Sequence, residues 1–191
     1  MKSFTIDGRA FKAACFFKSK KDHRAPLLGV LVQKDGSVAA TNGHTLIHCQ
    51  SNIAEPAHPT RNFIIKPISP VLASHSITFD FVAGDRGLAC QRNIVGEVVG
   101  YFGFVVIDSK FFPDWKKAIP QKIGIPADKV ILDATYINSA ASALKALGVK
   151  GAGIKIEPCG ELSPIMISPG QMNDYTDKLT MLIMPMRGAE K

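Results

Sequence analysis

The stretch PLLGVLVQKDGSVAATNGHTLIHCQ, residues 26–50, has the pattern of three short strands joined by tight turns. Short apolar runs alternate there with the turn residues KDG (34–36) and NG (42–43). Before it, residues 3–6 (SFTI) predict a strand, and residues 8–20 predict a helix. The N-terminal part of the chain is therefore predicted to form a strand, a helix and three further strands.

The same order of elements returns twice. In the second unit RNFIIK (61–66) predicts a strand, residues 67–74 a helix begun by proline, and ITFDFV, LACQRN and VGYFGFVVIDSK three strands. In the third, KVILD (129–133) predicts a strand, residues 135–147 a helix, and GIKIEP, PIMIS and LTMLIMPMR three strands. Pro-rich segments connect the units, because proline is excluded from central strands. The repeat predicts an α+β fold with antiparallel sheets that carry their helices on one face.

Composition limits the class of protein. The chain has 191 residues, of which 46% are hydrophobic and 20% charged, which is typical of a globular protein with a sizeable core. We find no signal peptide and no apolar run long enough for a membrane helix, so we expect a cytoplasmic protein. Four cysteines without CxxC spacing are expected to be reduced, mostly buried thiols. The net charge of +7 is expected of a protein that binds a polyanion, but it is equally explained as a charge that keeps the protein soluble.

Motifs for catalysis are missing from the sequence. No nucleophile elbow, nucleotide-binding loop or paired-carboxylate motif occurs. His44 and His48 have a spacing that would place two imidazoles together on a helix, but their context predicts a turn and a strand, where they lie apart. The glycine-rich run GVKGAGIK precedes a strand and does not open a helix, so it is interpreted as a loop. We therefore expect a protein that is not an enzyme and holds no cofactor or metal.

The first predicted helix has a basic side. Phe11 and Phe17 cluster with small residues on one face, whereas Arg9, Lys12 and Lys20 share the other. A basic stripe can be a solvated face whose charge complements the helix dipole. Alternatively, it can follow the phosphate backbone of DNA without reading bases. The sequence leaves both interpretations open.

Three motifs together resemble one family. ATNGHTL (40–46) resembles the ATDGHRL signature of the bacterial DNA polymerase III β subunit, the sliding clamp; SKFFPDWKKAIP (109–120) is similar to its FPDYRRVLP run, and LIMPMR (182–187) to its C-terminal VVMPMR. The motifs follow in the same order. The resemblance implies the DNA-clamp fold, in which repeated strand-helix-three-strand half-units place helices inside a ring and sheets outside.

The resemblance also implies a domain division and a site. Residues 1–118 resemble the middle domain of the clamp, and residues 119–191 a linker plus the second half of its last domain. The family's groove for partner peptides lies between these parts. The leucines assigned to this groove have an alternative explanation as interior residues of strands. Thr45 stands where the family commonly has arginine, which removes a positive rim. Carried over by motif, the groove would be lined by Leu27, Thr41, Gly43, His44, Leu46, Pro113, Ala118, Leu182, Met184, Pro185, Met186 and Arg187.

The implied function is that of a sliding clamp-like processivity factor. Arg9, Lys12 and Lys20 would face double-stranded DNA without sequence preference, and the groove would tether DNA polymerase or other proteins that carry clamp-binding peptides. A clamp loader is a further implied partner. Three half-units per chain predict a homo-oligomer, which is a tetramer if a ring closes, with a dimer as the open form. The alternative is a clamp mimic that never encircles DNA and competes for clamp-binding peptides or binds a host clamp.

Overall fold

The computed structural model describes residues 3–53, 58–127, 130–149, 153–161, 163–171 and 174–186. Within these residues the chain forms eleven strands and two α-helices, connected by turns and short 3-10 helices. The helices are α1 (Gly8–Ala14) and α2 (Ala134–Ala146). The strands are β1 (Ser3–Asp7), β2 (Val30–Val32), β3 (Val38–Thr41), β4 (Thr45–Cys49), β5 (Phe63–Pro67), β6 (Ser76–Ala83), β7 (Arg86–Arg92), β8 (Val98–Ile107), β9 (Ile154–Glu157), β10 (Ile165–Pro169) and β11 (Leu179–Ile183).

All these strands join one antiparallel sheet in the order β1-β6-β7-β8-β5-β2-β3-β4-β11-β10-β9. The first two units exchange their first strands, since β1 pairs with β6 and β5 pairs with β2. The third unit joins the first where β11 pairs with β4. The predicted α+β class with antiparallel sheets is confirmed.

An aromatic cluster forms the centre of the core. The ring centroid of Phe79 lies 5.0 Å from that of Phe4, 5.3 Å from Phe11 and 5.2 Å from Phe104, so β1, α1, β6 and β8 meet at one point. Buried aromatic pairs at such distances add to the free energy of apolar burial. The alternation of apolar residues in β6 puts Ile77 and Phe79 on this buried face.

The two helices pack against each other on the same side of the sheet. Ala10 and Ala14 of α1 and Ala140 and Ala143 of α2 are fully buried, and these small side chains permit a close approach of the two backbones. The core cluster includes residues from both sides of the predicted boundary between residues 118 and 119. The boundary itself stays a prediction.

Helix α1 is shorter than predicted. It ends at Ala14, and the next turns are bonded from i to i+3, with Phe16 N–H donating to Ala13 O and Phe17 N–H to Ala14 O. Ser19 N–H, which a continued helix would bond to Cys15 O, donates instead to Leu27 O at 2.8 Å. The predicted helical stretch up to Lys20 is therefore a loop.

The helix predicted at residues 67–74 is absent, and this prediction was wrong. Pro67 ends β5, and Pro70 has no N–H and disfavours helical geometry in the residue before it. The segment instead lies extended on the sheet, where the buried Gln91 amide donates to Leu72 O at 2.9 Å and accepts from Leu72 N–H. Lys12 Nζ of α1 also donates to Val71 O.

The strand predicted at residues 129–133 is also absent from the residues that are described there, 130–133. Among the described residues, one backbone bond, from Met186 N–H to Ile131 O at 2.8 Å, ties this segment to the chain beyond β11. Asp133 then begins α2, since its carboxylate accepts from the N–H and hydroxyl of Thr135 at 2.7 Å each. The segment has no complete neighbouring strand among the described residues, so it does not form a ladder.

A buried carboxylate connects the first and third units. Asp7 is fully buried at the start of α1, where Oδ1 accepts from the N–H groups of Arg9 (2.9 Å) and Ala10 (3.1 Å). Its Oδ2 accepts from Asn52 N–H at 2.9 Å and from the Tyr175 hydroxyl at 2.6 Å. Burial, together with the neighbouring Asp7 charge, raises the pKa of Tyr175. The Tyr175 hydroxyl therefore stays protonated and donates to Asp7.

Two further expectations concern the whole chain. All four cysteines of the sequence are free thiols, and burial raises the pKa of Cys15 to about 12. No helix in the described part of the chain is long and apolar enough to cross a membrane.

Replacing Tyr175 with phenylalanine is expected to destabilise the fold by about 1–3 kcal/mol, because the buried Asp7 carboxylate loses one of its hydrogen bonds. Urea unfolding followed by circular dichroism measures this change. Tyr101→Phe is the matched control, since the Tyr101 side chain is exposed and its hydroxyl deletion is expected to leave stability unchanged. Equal stability of both variants would contradict a structural role for the Asp7–Tyr175 bond.

Candidate functional site

The TNGH turn between β3 and β4 is held by its own side chains. Asn42 Oδ1 accepts from the N–H groups of His44 (2.9 Å) and Thr45 (2.8 Å) and from the Thr45 hydroxyl (3.0 Å). Thr41 Oγ1 donates to Thr45 O at 2.6 Å and accepts from Gly43 N–H at 3.0 Å. Gly43 has φ +93°, which side chains other than glycine rarely adopt. The sequence therefore specifies one rigid turn.

Strand β11 lies directly beside this turn. Leu46 of β4 is opposite Leu182 of β11, and Met184 N–H donates to His44 O at 2.8 Å just beyond the ladder. Trp115 packs over the two leucines in a small buried cluster on this face of the sheet. The motifs around residues 44, 115 and 184, which are far apart in the sequence, are thus neighbours.

A small apolar pocket opens where these three motifs meet. Its volume is about 80 Å³, and Met184 at its mouth is 37% exposed while Leu46 and Leu182 at its base are buried. All of its lining residues except Thr45 and Pro164 belong to the groove predicted from the sequence. The lining consists of Thr41, Gly43, His44, Thr45, Leu46, Ala118, Pro164, Leu182 and Met184.

A wider cleft of about 490 Å³ continues from this pocket. The two share Ala118, Pro164 and Met184, so together they make one groove, which we call the junction groove. The additional lining residues are Lys117, Ile119, Pro120, Gln121, Lys122, Ile125, Cys159 and Ser163. A pocket for one apolar side chain beside an open apolar cleft is a shape that suits an extended peptide.

The other predicted groove residues lie elsewhere. Leu27 is buried and does not line the pocket, Pro113 is exposed outside it, and Pro185 is half-buried. Met186 is exposed and its N–H is bonded to Ile131. Arg187 lies outside the described residues.

Arg24 is a residue at this site that the sequence did not indicate. Its guanidinium lies beside Gly43, with Nη2 3.3 Å from the position that a Cβ would take there. Asp22 holds it in place, since Oδ1 accepts from Nε and Oδ2 from Nη2, both at 3.0 Å. These bonds from Arg24 lower the pKa of Asp22 to about 2. The Arg24 guanidinium thus places a positive charge at the rim of the pocket. Thr45, where the clamp family commonly has arginine, is buried and bonded to Asn42 and carries no charge.

The three residues predicted to face DNA are in different surroundings. Arg9 is half-buried with its guanidinium 5.5 Å from the ring centre of Tyr175. Lys12 is half-buried, bonded to Val71 and 5.4 Å from the ring centre of Phe16. Lys20 is exposed on the loop that follows α1. The structure therefore does not bring them into one free basic stripe.

The two histidines do not approach each other, and each stacks on its own aromatic ring. His44 lies 6.0 Å from the ring of Tyr136, and His48 lies 4.2 Å from Trp115. Burial lowers the pKa of His48, against a smaller opposing effect from Asp35. Within the described residues, no group of three or more His, Cys, Asp or Glu side chains is placed to hold a metal ion.

Comparison with known proteins finds similarity in structure only. No protein-family model matches the sequence, and no curated protein matches it. The structure is similar to the DNA polymerase III β subunit of Thermotoga maritima (TM-score 0.63, 16% identity, 99% of this chain and 66% of that one). It is also similar to the DNA polymerase sliding clamp of Bacillus subtilis, with a TM-score of 0.62, 15% identity and coverage of 97% of this chain and 64% of that one. For the sliding clamp of Pseudomonas aeruginosa the TM-score is 0.61 and the identity 14%, with coverage of 97% of this chain and 67% of that one. The chain has the fold of a bacterial sliding clamp and spans about two thirds of the length of these proteins.

The environment of His48 predicts a pH effect that can be followed at Trp115, the one tryptophan of the sequence. Because the folded-state pKa lies below the ordinary value of about 6.5, the neutral form stabilises the fold above that pH, and this contribution is lost as the pH falls below it. Tryptophan emission should titrate with a midpoint below about 6.5 and the free energy of unfolding should fall over the same range. His48→Gln should abolish the emission change; if it persists, another group is responsible.

Proposed function

We propose that the chain is a non-catalytic, clamp-like protein that holds other proteins through the junction groove while it contacts DNA without sequence preference. The observation that carries this proposal is the groove itself, because it lies where β4 and β11 join two units of a sliding-clamp fold. No catalytic motif is present in the sequence, and the groove is lined mainly by apolar side chains. The site is therefore suited to binding and not to chemistry.

The groove indicates the kind of peptide that it would take. Met184 at its mouth is unbranched and adapts to different apolar side chains. The small pocket would hold one leucine- or phenylalanine-like anchor, and the wider cleft a second. Arg24, Lys117 and Lys122 near the rim favour an acidic residue in the peptide, although Asp22 and Asp114 already neutralise part of the charge of Arg24 and Lys117. DNA polymerase and other replication proteins that carry such peptides are the proposed partners.

Contact with DNA is supported by charge. The chain carries 23 Lys and Arg against 16 Asp and Glu. Lys20 and Lys21 are exposed on the loop after α1. Phosphate contacts of this type give salt-dependent affinity without base readout. A homo-oligomer and a clamp loader remain part of the proposal, since three units per chain leave the third without a second half.

A non-encircling mimic is the second candidate function. Two observations favour it: Arg9 and Lys12 are engaged with Tyr175 and Val71, and the described residues of the second unit form no α-helix. Such a protein would keep the junction groove and compete for clamp-binding peptides, but would have little surface for DNA.

The groove is tested with a fluorescently labelled peptide that carries leucine and phenylalanine anchors and an acidic residue. Met184→Ala together with His44→Ala should weaken binding by at least ~1 kcal/mol, about a fivefold rise in Kd, if these side chains contact the anchors. Val82→Ala is the control, because Val82 is exposed on β6 and does not line the groove. Unchanged affinity in the double variant would refute the assignment of the junction groove as the peptide-binding site.

DNA topology separates the two candidate functions. A protein that encircles DNA should remain on a nicked circle during gel filtration at moderate salt, with or without a loader, and dissociate after the circle is cut. A mimic should bind the labelled peptide and show no dependence on circularity. Retention on both linear and circular DNA would indicate ordinary electrostatic binding and contradict encirclement.

A further inference from the structure

A second cleft, with polar walls, lies on the same face of the sheet as the junction groove. The groove is at the start of β4, beside the TNGH turn, and this cleft is at the end of that strand. Its volume is about 410 Å³. The walls come from the turn between β2 and β3, the end of β4 and the 3-10 helix Trp115–Ala118. We call it the lysine cleft, and its lining includes Lys34, Asp35, His48, Gln50, Trp115 and Lys116.

Strand β4 runs from the junction groove to the lysine cleft. Leu46 lies at the base of the groove pocket, and His48, two residues further on, faces the same side and stacks on Trp115 in the cleft. Gln50 N–H continues the ladder by donating to Lys178 O at 2.8 Å. At a rise of about 3.3 Å per residue, Gln50 is about 13 Å along the strand from Leu46. The helix Trp115–Ala118 likewise lines the cleft with its first two residues and the groove with its last two.

The lysine cleft has a positive net charge. Lys34 and Lys116 are exposed, and neither ammonium group forms an ion pair with another described residue. Asp35 supplies the carboxylate of the lining, and its Oδ1 already accepts from the N–H (3.0 Å) and the hydroxyl (2.6 Å) of Ser37. Burial lowers the pKa of His48, so its imidazole is neutral at pH 7. Two ammonium groups therefore face one carboxylate.

We propose that the lysine cleft binds an acidic residue that flanks the apolar anchor of the peptide held in the junction groove, so that one extended peptide occupies both sites. This inference rests on the proposed function. A distance of about 13 Å corresponds to about four residues of extended peptide, which sets the spacing between anchor and acidic residue. Ion pairs with exposed lysines contribute little each. The lysine cleft therefore selects among peptides that the groove already binds.

The test uses fluorescence anisotropy at low salt on the full chain, with four labelled peptides that share one leucine–phenylalanine anchor. Two peptides carry a pair of glutamates about four residues from the leucine, one on its N-terminal and one on its C-terminal side. The other two carry glutamines at the same positions. The direction of the peptide in the groove decides which glutamate peptide reaches the cleft. That peptide should bind about fivefold more tightly than its glutamine counterpart, and the difference should shrink as salt is added.

Replacing both lysines assigns this difference to the lysine cleft. Lys34→Ala together with Lys116→Ala should abolish the preference for glutamate and leave the affinity for the glutamine peptides unchanged, because neither lysine lines the junction groove. Arg86→Ala together with Lys145→Ala is the charge-matched control. These exposed residues of β7 and α2 line neither site, so the control should keep the preference.

Asp35→Asn should have the opposite effect. The asparagine keeps an oxygen that can accept from Ser37 but removes the negative charge of the cleft, so the glutamate peptide should bind about twofold more tightly than it does to the wild type.

The outcomes separate this proposal from the proposed function. If the glutamine peptides bind but neither glutamate peptide binds more tightly, the lysine cleft is refuted and the junction groove stands. If the preference for glutamate persists without Lys34 and Lys116, it arises at the groove rim, and the lysine cleft is again refuted. If none of the four peptides binds the wild type, the junction groove is not a peptide site and both proposals fail.

Discussion

The buried carboxylate of Asp7 is the constraint on which the arrangement of the units depends. A charge with no access to water is tolerated only when its oxygens are fully hydrogen-bonded. Two backbone N–H groups of α1 satisfy one oxygen, which fixes where β1 ends and α1 begins. The other oxygen needs Asn52 and the hydroxyl of Tyr175, so the chain that precedes β11 must dock on the first unit. Folding of the third unit is thereby coupled to that of the first.

This docking creates the candidate site. Once Tyr175 is in place, β11 continues the ladder of β4, and the TNGH turn lies next to Met184. The junction groove is consequently a property of the contact between units, and no single unit contains it. Its shape is stable because the turn is held by Asn42 and its floor by the paired leucines of β4 and β11.

Local patterns predicted most strands because apolar alternation and turn residues act over short distances. The helix at residues 135–147 was also close to α2, where Asp133 supplies the N-terminal cap. Two predictions failed for local reasons that compete with helical periodicity. Pro70 disfavours a helix in the second unit, and after α1 the Ser19 N–H bonds to Leu27 O in place of a helical carbonyl. The strand predicted at residues 129–133 is absent over the described residues 130–133 for a different reason, since a strand forms only when a neighbour supplies its hydrogen bonds.

The sequence by itself determined the class of fold, the geometry of the TNGH turn and most of the pocket lining, because these depend on residue type, spacing and recognisable motifs. Only the tertiary structure decided which residues share the groove with that turn. Pro164 and Arg24 reach it from a strand connection and a loop that no sequence pattern links to residue 43. Tertiary contacts likewise engage Arg9 with Tyr175 and Lys12 with Val71, which leaves both side chains half-buried. Periodicity places a side chain on a face of a helix, but what covers that face is set by the packing of distant segments.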